Sequence, residues 1–413
     1  MIDQNRLEKY AELAIVKGVN LQKDQILIIN TSIDAVEMTR ACVKSAYEHG
    51  AKQVLVNYRD EYTSRYDFLY QTEETLCDIR KWQIDSKLDY LKEGACVLHI
   101  VSDIPGIMKD VPADKLSKRS MAMASANKEA QDYTMANKTQ WCIVAVPNKE
   151  WAKLVFPEFE DDDAAVEELW ERILSCVHVT PNNDPIEEWT QLNESFQKRV
   201  DILNGYQLKE LHFKNSLGTD LQVKLVDRHI WAGGCDVTVG KNISFNPNMP
   251  TEEIFTTPHR SGVNGKVVAS KPLDYNGTLI KDFWFVFEDG KVVDYDAKAG
   301  KEALKSLVEF DEGSCRLGEV ALVPFASPIS QSGILFYNTL FDENASCHLA
   351  LGSAYPANIE HGTEMSEEEL LAHDVNQSYT HVDFMFGNED MEVIGQCVDG
   401  TEVSIFKEGN FVF

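Results

Sequence analysis

The chain has 413 residues, of which 44% are hydrophobic and 26% charged, as in a globular protein long enough for two domains. Its 39 Lys and Arg against 67 Asp and Glu give a formal net charge of −28, which disfavours nucleic acids and anionic membranes as partners. The nine cysteines form no C-x-x-C motif, and the sequence contains no apolar stretch of the signal-peptide or transmembrane kind. These features predict a cytoplasmic protein in a reducing compartment.

The first half of the chain alternates short apolar runs with amphipathic segments. The apolar runs predict strands at Gln25–Asn30, Gln53–Tyr58, Ala95–Val101 and Trp141–Val146, with helices between them. Such alternation is typical of a parallel sheet covered on both faces. We therefore predict a doubly wound α/β domain over residues 1–185. No G-x-G-x-x-G motif follows any of these runs, so nothing supports a dinucleotide site.

The pattern changes after residue 185, where Pro185–Leu203 predicts a connecting helix. Beyond it, short β-rich runs are separated by dipeptides that favour tight hairpin turns because their residues tolerate positive φ. These dipeptides are Asn264-Gly265, Asn276-Gly277, Asp289-Gly290 and Asp399-Gly400. We therefore predict a mainly antiparallel α+β domain with helices over residues 186–413, and place the candidate metal site there.

Side chains that bind metal ions concentrate in the last third of the chain. If the segment THVDFMF is a strand, His381 and Asp383 project to one side while Val382 and Phe384 pack behind them. Two ligands at positions i and i+2 of a strand provide half of a site for a divalent cation. A single H-x-D is also common as an ordinary surface pair, so this segment alone does not establish a site.

Carboxylates open two further apolar runs. Glu253 precedes IFTTP and Glu319 precedes VALVP. A carboxylate at the start of a buried strand is costly to bury unless it is paired or coordinated, and the alternative is that each strand begins at solvent. The segment DENASCHLAL adds Glu343 and His348, but its composition does not distinguish helix from strand.

Together these residues supply four carboxylates and two imidazoles, namely Glu253, Glu319, Glu343, His348, His381 and Asp383. This mixture of oxygen and nitrogen donors suits Zn²⁺, Co²⁺ or Mn²⁺ in a two-metal hydrolase. The sequence contains no G-x-S-x-G elbow, H-E-x-x-H helix or Walker A loop that would offer another chemistry.

Four blocks in order along the chain carry a family resemblance: Asn246–Pro258, Leu317–Pro324, Leu340–Pro356 and Asn376–Gly387. They resemble the blocks of the aminopeptidase T / aminopeptidase S family of metallopeptidases, and are most similar to its aminopeptidase S branch. The likeness runs along the whole chain and includes the upstream stretch Trp231–Gly234.

The resemblance implies removal of N-terminal residues from small peptides, two divalent metal ions per subunit, and a homodimer. It places the metal ligands at Glu253, Glu319, His348, His381 and Asp383, with Glu343 as a further ligand, and the active-site tyrosine at Tyr355. We expect Glu319 to bridge the two ions and Tyr355 to donate a hydrogen bond to the developing oxyanion. The general base stays open between Glu252 and Glu343.

Two other functions compete with an aminopeptidase. A dipeptidase or carboxypeptidase would need a group that binds the peptide carboxylate, typically Arg, and Arg is scarce among the four blocks. A non-catalytic binding protein would use its metals structurally, but structural zinc sites are usually rich in Cys and His rather than in carboxylates.

Overall fold

The structure is a computed structural model, and it describes residues 2–275 and 278–413. Its strands are β1 (Ile26–Ser32), β2 (Gln53–Arg59), β3 (Cys96–Val101), β4 (Trp141–Ala145), β5 (Leu208–Lys214), β6 (Asp220–Leu225), β7 (Ala232–Gly233), β8 (Asp236–Val237), β9 (Ser244–Phe245), β10 (Ile254–Thr256), β11 (Pro258–Val268), β12 (Leu273–Tyr275), β13 (Thr278–Glu288), β14 (Lys291–Ala299), β15 (Leu317–Leu322), β16 (His348–Gly352), β17 (His381–Met385), β18 (Glu392–Cys397), β19 (Glu402–Lys407) and β20 (Asn410–Phe411). Its α-helices are α1 (Gln4–Leu13), α2 (Val36–Glu48), α3 (Glu61–Tyr70), α4 (Glu73–Cys77), α5 (Lys81–Lys92), α6 (Ala113–Met135), α7 (Lys149–Val155), α8 (Asp162–Cys176), α9 (Pro185–Gly205), α10 (Lys301–Val308), α11 (Pro328–Ser332), α12 (Thr339–Asp342) and α13 (Glu367–Ala372).

The chain divides into two compact units. The first comprises Met1–Asn193 and Cys235–Pro250, and the second comprises Glu194–Gly234 and Thr251–Phe413. The chain therefore enters the second unit, returns to the first, and then completes the second. The predicted domain ranges 1–185 and 186–413 stay a prediction.

The first unit contains a parallel sheet in the order β2-β1-β3-β4. Ile26 and Ile28 of β1 pack with Leu88 and Leu91 of α5 on one face. The alternate residues of β1 are also fully buried, so the other face is covered as well. The parallel α/β architecture predicted from the apolar runs is confirmed.

The second unit contains two antiparallel sheets. One has the order β17-β16-β15-β10-β7, and it carries the candidate metal site. The other has the order β12-β13-β11-β6-β5-β18-β19-β20, with β14 pairing to β13. The predicted mainly antiparallel region with helices is confirmed, and α9 contains the predicted helix Pro185–Leu203.

The turn dipeptides have different outcomes. Asp289-Gly290 joins β13 to β14 with both residues at positive φ, and Asp399-Gly400 lies between β18 and β19, so both predictions are confirmed. The predicted turn at Asn264-Gly265 is wrong, because this dipeptide lies inside β11. A Cβ atom at Gly265 would collide with the carbonyl oxygen of Asp220 on β6, so the glycine permits close strand approach there. Asn276-Gly277 lies outside the described residues.

All nine cysteines are free, and six of them are buried, among them Cys96 in β3. Across residues 2–275 and 278–413, none of the helices combines the length and the apolar character needed to cross a membrane.

Candidate metal centre

One face of the β17-β16-β15-β10-β7 sheet carries the candidate ligands. Glu319 on β15 is opposite Ala350 on β16, which is opposite Asp383 on β17. Directly opposite residues project from the same face of an antiparallel sheet. His348 lies two residues before Ala350 on the same strand, so it projects from this face too. The register of three strands thus brings Glu319, His348 and Asp383 together.

Small residues occupy the strand positions between these ligands. Ala321 is opposite His348, and Gly352 is opposite His381. Ala350 separates Glu319 from Asp383 in the same way. Because alanine and glycine fill little volume above a sheet, the polar side chains around them can converge.

Glu253 and Glu343 reach the same region from the ends of two segments. Glu253 immediately precedes β10, and Glu343 begins a short 3₁₀ turn that follows α12. Asn344, the residue after Glu343, is fully buried, and its Oδ1 accepts a 2.7 Å hydrogen bond from the backbone N–H of Glu252. Asn344 therefore ties together the two segments that carry Glu253 and Glu343.

Five of the side chains form two overlapping groups. Nε2 of His348 lies 3.1 Å from Oε2 of Glu253 and 3.4 Å from Oε1 of Glu319. Nε2 of His381 lies 3.5 Å from Oε2 of Glu319 and 3.4 Å from Oδ1 of Asp383. Within each group the donor atoms all lie within 4.8 Å of one another. Glu319 belongs to both groups, and each of its oxygens faces a different histidine.

The two histidines are oriented by backbone carbonyls. Nδ1 of His381 lies 2.7 Å from the carbonyl oxygen of Ser353, and Nδ1 of His348 lies 3.3 Å from that of Ser346. A carbonyl oxygen can only accept, so each hydrogen bond requires Nδ1 to carry the proton. In the neutral form of each ring, Nε2 then has the lone pair that binds a cation, as is usual for histidines that bind metals.

Burial and neighbouring charges shift the pKa values of the carboxyl groups at the site. Glu319 is 4% exposed, and burial raises its pKa above the usual range. The pKa of Glu343 is raised well above its ordinary value, first by burial and then by the charges of Glu253 and Asp383. For Asp383, burial is the largest effect and opposes ionisation, but the charge and hydrogen bond of His381 and the charge of His348 together lower the pKa.

The pKa values of both histidines are raised as well, which favours their charged form. Burial disfavours the charged ring of His348, but hydrogen bonds to Glu253 and Glu319 together with the charges of Glu253 and Asp383 raise its pKa well above the ordinary value. Burial also opposes the charge on His381, and the nearby Asp383 carboxylate raises the pKa of that ring to about 9. Each ring thus lies in a field that attracts positive charge.

The residues present fit divalent cations. Four acidic side chains crowd into one region with two imidazoles, and the raised pKa values of Glu319 and Glu343 reflect the cost of ionising all four without added positive charge. Oδ1 of Asp383 is buried, and its polar neighbour is Nε2 of His381 at 3.4 Å. Mixed carboxylate and imidazole donors suit Zn²⁺, Co²⁺ or Mn²⁺. Bound cations would supply the positive charge that lets these carboxylates ionise together.

Comparison with known proteins agrees with this chemistry. A model of the thermophilic metalloprotease family, M29, matches residues 3–411. The chain belongs to the M29 family. It is 42% identical to aminopeptidase 2 of Geobacillus stearothermophilus and 42% identical to aminopeptidase AmpS of Bacillus subtilis, in each case over 99% of this chain and 98% of the relative.

This chain is also similar to a solved structure. Wild-type AmpT from Thermus thermophilus is 39% identical in sequence and superposes with a TM-score of 0.92, covering 99% of this chain and 100% of that one. The architecture of this M29 chain therefore matches a solved relative over its full length.

Tyr355 lies beside the two groups in this M29 chain. Its ring centroid is 5.0 Å from that of His381 and 5.9 Å from that of Phe255. Burial, and next the charge of Glu319, raises the pKa of Tyr355 well above its ordinary value. The phenol therefore keeps its proton, and it remains a hydrogen-bond donor.

Glu343 lies close enough to Glu253 and Asp383 for their charges to affect it, but it belongs to neither group of converging donors. Glu252 is buried, and its charge acts on Arg199. The structure therefore brings Glu343 close to two of the candidate ligands.

Sequence reasoning missed three residues that shape the site: Phe255, Asn344 and Ser353. Phe255 is two positions after Glu253, so strand alternation could have identified it as facing the ligands. Asn344 and the carbonyl of Ser353 act through hydrogen bonds to distant parts of the chain, and local sequence carries no signal for them.

Proposed function

We propose that this chain removes N-terminal residues from small peptides, and that two divalent cations held by its second unit serve that reaction. The chain is a metal-dependent aminopeptidase, since it belongs to the M29 metalloproteases and its full-length relatives are aminopeptidases. We assign the cations to Glu253, Glu319 and His348 on one side and to Glu319, His381 and Asp383 on the other.

The position of Glu319 is the main support for two cations. Its two oxygens lie 3.4 Å from His348 Nε2 and 3.5 Å from His381 Nε2. A carboxylate that faces two separate donor groups is the expected bridge of a two-metal site. A site for one ion would need only one of these groups.

The reaction requires activation of water and stabilisation of an oxyanion. When bound, a pair of divalent cations polarises a carbonyl oxygen and lowers the pKa of water towards neutrality. The Tyr355 hydroxyl, which stays protonated, would donate a hydrogen bond to the oxygen of the scissile carbonyl as negative charge develops there. Glu343, which belongs to neither donor group, would hold the proton taken from water on a carboxylate oxygen and pass it to the leaving amine.

Charge favours recognition of a free N-terminus over a C-terminus. The cleft beside the metal centre is lined by Asp342, Glu343 and Asp383, and its described lining includes no Arg or Lys. Carboxylates attract the ammonium group of a peptide and repel its carboxylate. This arrangement supports an aminopeptidase rather than a carboxypeptidase.

The cation is proposed to be Zn²⁺, Co²⁺ or Mn²⁺, and the enzyme is proposed to be a cytoplasmic homodimer. The donor set supports these cations, and the nine free cysteines suit a reducing compartment. The homodimer is carried over from the family resemblance alone.

The test uses metal-free enzyme reconstituted separately with each of the three cations. We expect hydrolysis of aminoacyl anilides with a free amino group, and no hydrolysis of the same anilides after N-acetylation. Equal cleavage of free and N-acetylated substrates would contradict recognition of the N-terminus, and cleavage by fully metal-free enzyme would contradict metal dependence.

A further inference from the structure

Asn376 precedes β17 and is fully buried. Its Nδ2 donates two hydrogen bonds, to the carbonyl oxygens of Gly352 at 2.6 Å and of Gly313 at 2.8 Å. Its Oδ1 accepts a 3.2 Å hydrogen bond from Nε of Arg260. Because the guanidinium group can only donate and a carbonyl can only accept, these partners fix the orientation of the amide. Both ends of the Asn376 side chain are therefore engaged.

These bonds enclose the residue whose carbonyl orients a proposed metal ligand. Ser353 accepts a 2.7 Å hydrogen bond from Nδ1 of His381. The residue before it, Gly352, is bonded to the side chain of Asn376. The residue after it, Ala354, donates its backbone N–H to the carbonyl oxygen of Asn376 at 3.0 Å. Asn376 thus holds the backbone on both sides of the Ser353 carbonyl.

We infer that Asn376 is a positioning residue, which holds the Ser353 carbonyl in place and thereby directs Nε2 of His381 towards the metal centre. This inference rests on the proposed two-metal function. The two donor groups are named here by their histidines: the His348 group is Glu253, Glu319 and His348, and the His381 group is Glu319, His381 and Asp383. Asn376 belongs to neither group, so it acts on the ion of the His381 group only through the His381 ring.

The backbone at Gly352 needs to be held from outside its own strand. Gly352 ends β16, where it pairs with His381, and its φ of 116° lies in a region that residues with a Cβ atom rarely adopt. A Cβ atom there would lie 2.0 Å from the carbonyl oxygen of Thr380. Glycine fits this position, but it does not restrict its own backbone. The hydrogen bond from Asn376 supplies that restriction.

Asp311 holds the segment that leads into the strand of His381. Its two oxygens each lie 2.8 Å from the hydroxyl of Ser378, and its Oδ2 accepts a 2.7 Å hydrogen bond from the backbone N–H of Tyr379. Its Oδ1 also accepts a 2.8 Å hydrogen bond from the backbone N–H of Gly313. Asp311 therefore fixes the strand that carries the donor ring, while Asn376 fixes the backbone that carries its acceptor.

The test removes the amide with Asn376→Ala and measures stepwise binding of Co²⁺ by equilibrium dialysis with elemental analysis. Loss of a group that orients a metal-binding histidine typically weakens metal binding about 10–100-fold, and we expect that loss for the ion of the His381 group. The ion that His381→Ala also loses identifies this group. The dissociation constant of the ion in the His348 group should not change.

A double variant separates positioning from a general loosening of the unit. If Asn376 acts through the ring of His381, Asn376→Ala should cause no further weakening of the remaining ion when His381→Ala is already present. Asn376→Asp is the second variant, because it keeps the shape of the side chain and the acceptor for Arg260 but cannot donate to Gly352. The added charge alone would tighten binding of a cation, so weaker binding in this variant reports lost positioning.

Asn148→Ala is the matched control. Asn148 is also buried, its Nδ2 donates to the carbonyl oxygens of Ser102 at 2.9 Å and Asp103 at 3.0 Å, and it lies in the first unit, which contains none of the proposed ligands. The control should lower the free energy of unfolding in urea and leave both dissociation constants unchanged.

Three results would overturn the inference: equal weakening of both ions in Asn376→Ala, unchanged binding of the His381-group ion in either Asn376 variant, or further weakening in the double variant. A wild-type enzyme that bound fewer than two ions would contradict the proposed function instead.

Discussion

The rings of Tyr355 and His381 lie 5.0 Å apart with their planes tilted by 59°. His381 in turn directs Nε2 towards Glu319 and Asp383. The contact between the rings therefore fixes the phenol next to the donor groups. Phe255 supports the same ring from another side, with an edge-to-face contact at 5.9 Å.

The hydroxyl of Tyr355 should matter for turnover and not for folding. Tyr355→Phe keeps both ring contacts and removes only the donor, so kcat should fall about 10²–10³-fold with little change in KM. Steady-state kinetics on an aminoacyl anilide measures this directly. Tyr379→Phe is the control, because Tyr379 is 81% exposed, and it should behave as the wild type. Unchanged turnover in Tyr355→Phe would remove the proposed role.

Glu343 should act in proton transfer rather than in holding a cation. Glu343→Gln keeps the shape and one oxygen of the side chain but cannot accept a proton, so kcat should fall about 10²–10⁴-fold. The metal content after dialysis, measured by inductively coupled plasma mass spectrometry, should match that of the wild type. A variant that loses metal together with activity would show instead that Glu343 is a ligand.

Chelation should separate a catalytic metal from a structural one. The ligands lie on strands whose apolar residues, such as Val320 and Leu349, are fully buried, so the sheet has a core that does not depend on ions. We expect EDTA to abolish anilide hydrolysis while the far-ultraviolet circular dichroism spectrum stays native. Loss of that spectrum on chelation would favour the structural role, and restoration of activity by added Zn²⁺, Co²⁺ or Mn²⁺ is the accompanying control.

The first unit should lose stability in mild acid because of His99 on β3. Burial, together with the charges of Lys87 and Arg59, lowers the pKa of His99 from 6.5 to about 4. Between these values the unfolded chain binds a proton that the folded chain does not. The contribution of neutral His99 is therefore complete above pH 6.5 and is lost as the pH falls towards 4. The free energy of unfolding should decrease by about 3 kcal/mol over this range.

Urea denaturation of the wild type and of His99→Gln at several pH values measures this contribution. The difference between the two proteins should shrink or reverse as the pH falls, because the variant has no ring to protonate. His361→Gln is the control, since that side chain is 65% exposed. Parallel pH profiles for the wild type and His99→Gln would exclude the contribution.

The parts of the fold that were predictable are those governed by local pattern. The strands of the parallel sheet are apolar runs because both of their faces are buried, and H-x-D on β17 placed His381 and Asp383 on one face because strand side chains alternate. Burial of Glu319 was recognisable as costly from its apolar neighbours. Each of these inferences needed only a few consecutive residues.

Other parts depend on pairing between distant strands. That Glu319 faces both histidines follows from the register of β15 with β16 and from an irregularity between Leu317 and Glu319, which no local period encodes. The segment containing Glu343 and His348 changes from helical turn to strand near Ser346, and its composition suits both. Asn264-Gly265 has the composition of a turn, but pairing with β6 and β13 places Gly265 inside a strand.

The most direct test of the account is the number of cations bound per chain in the wild type, Glu319→Gln and His381→Ala, measured by equilibrium dialysis with elemental analysis. The account predicts two ions in the wild type, one in His381→Ala, and weakened binding of both in Glu319→Gln, because only Glu319 serves both donor groups. A single ion in the wild type, or two tightly bound ions in Glu319→Gln, would contradict it.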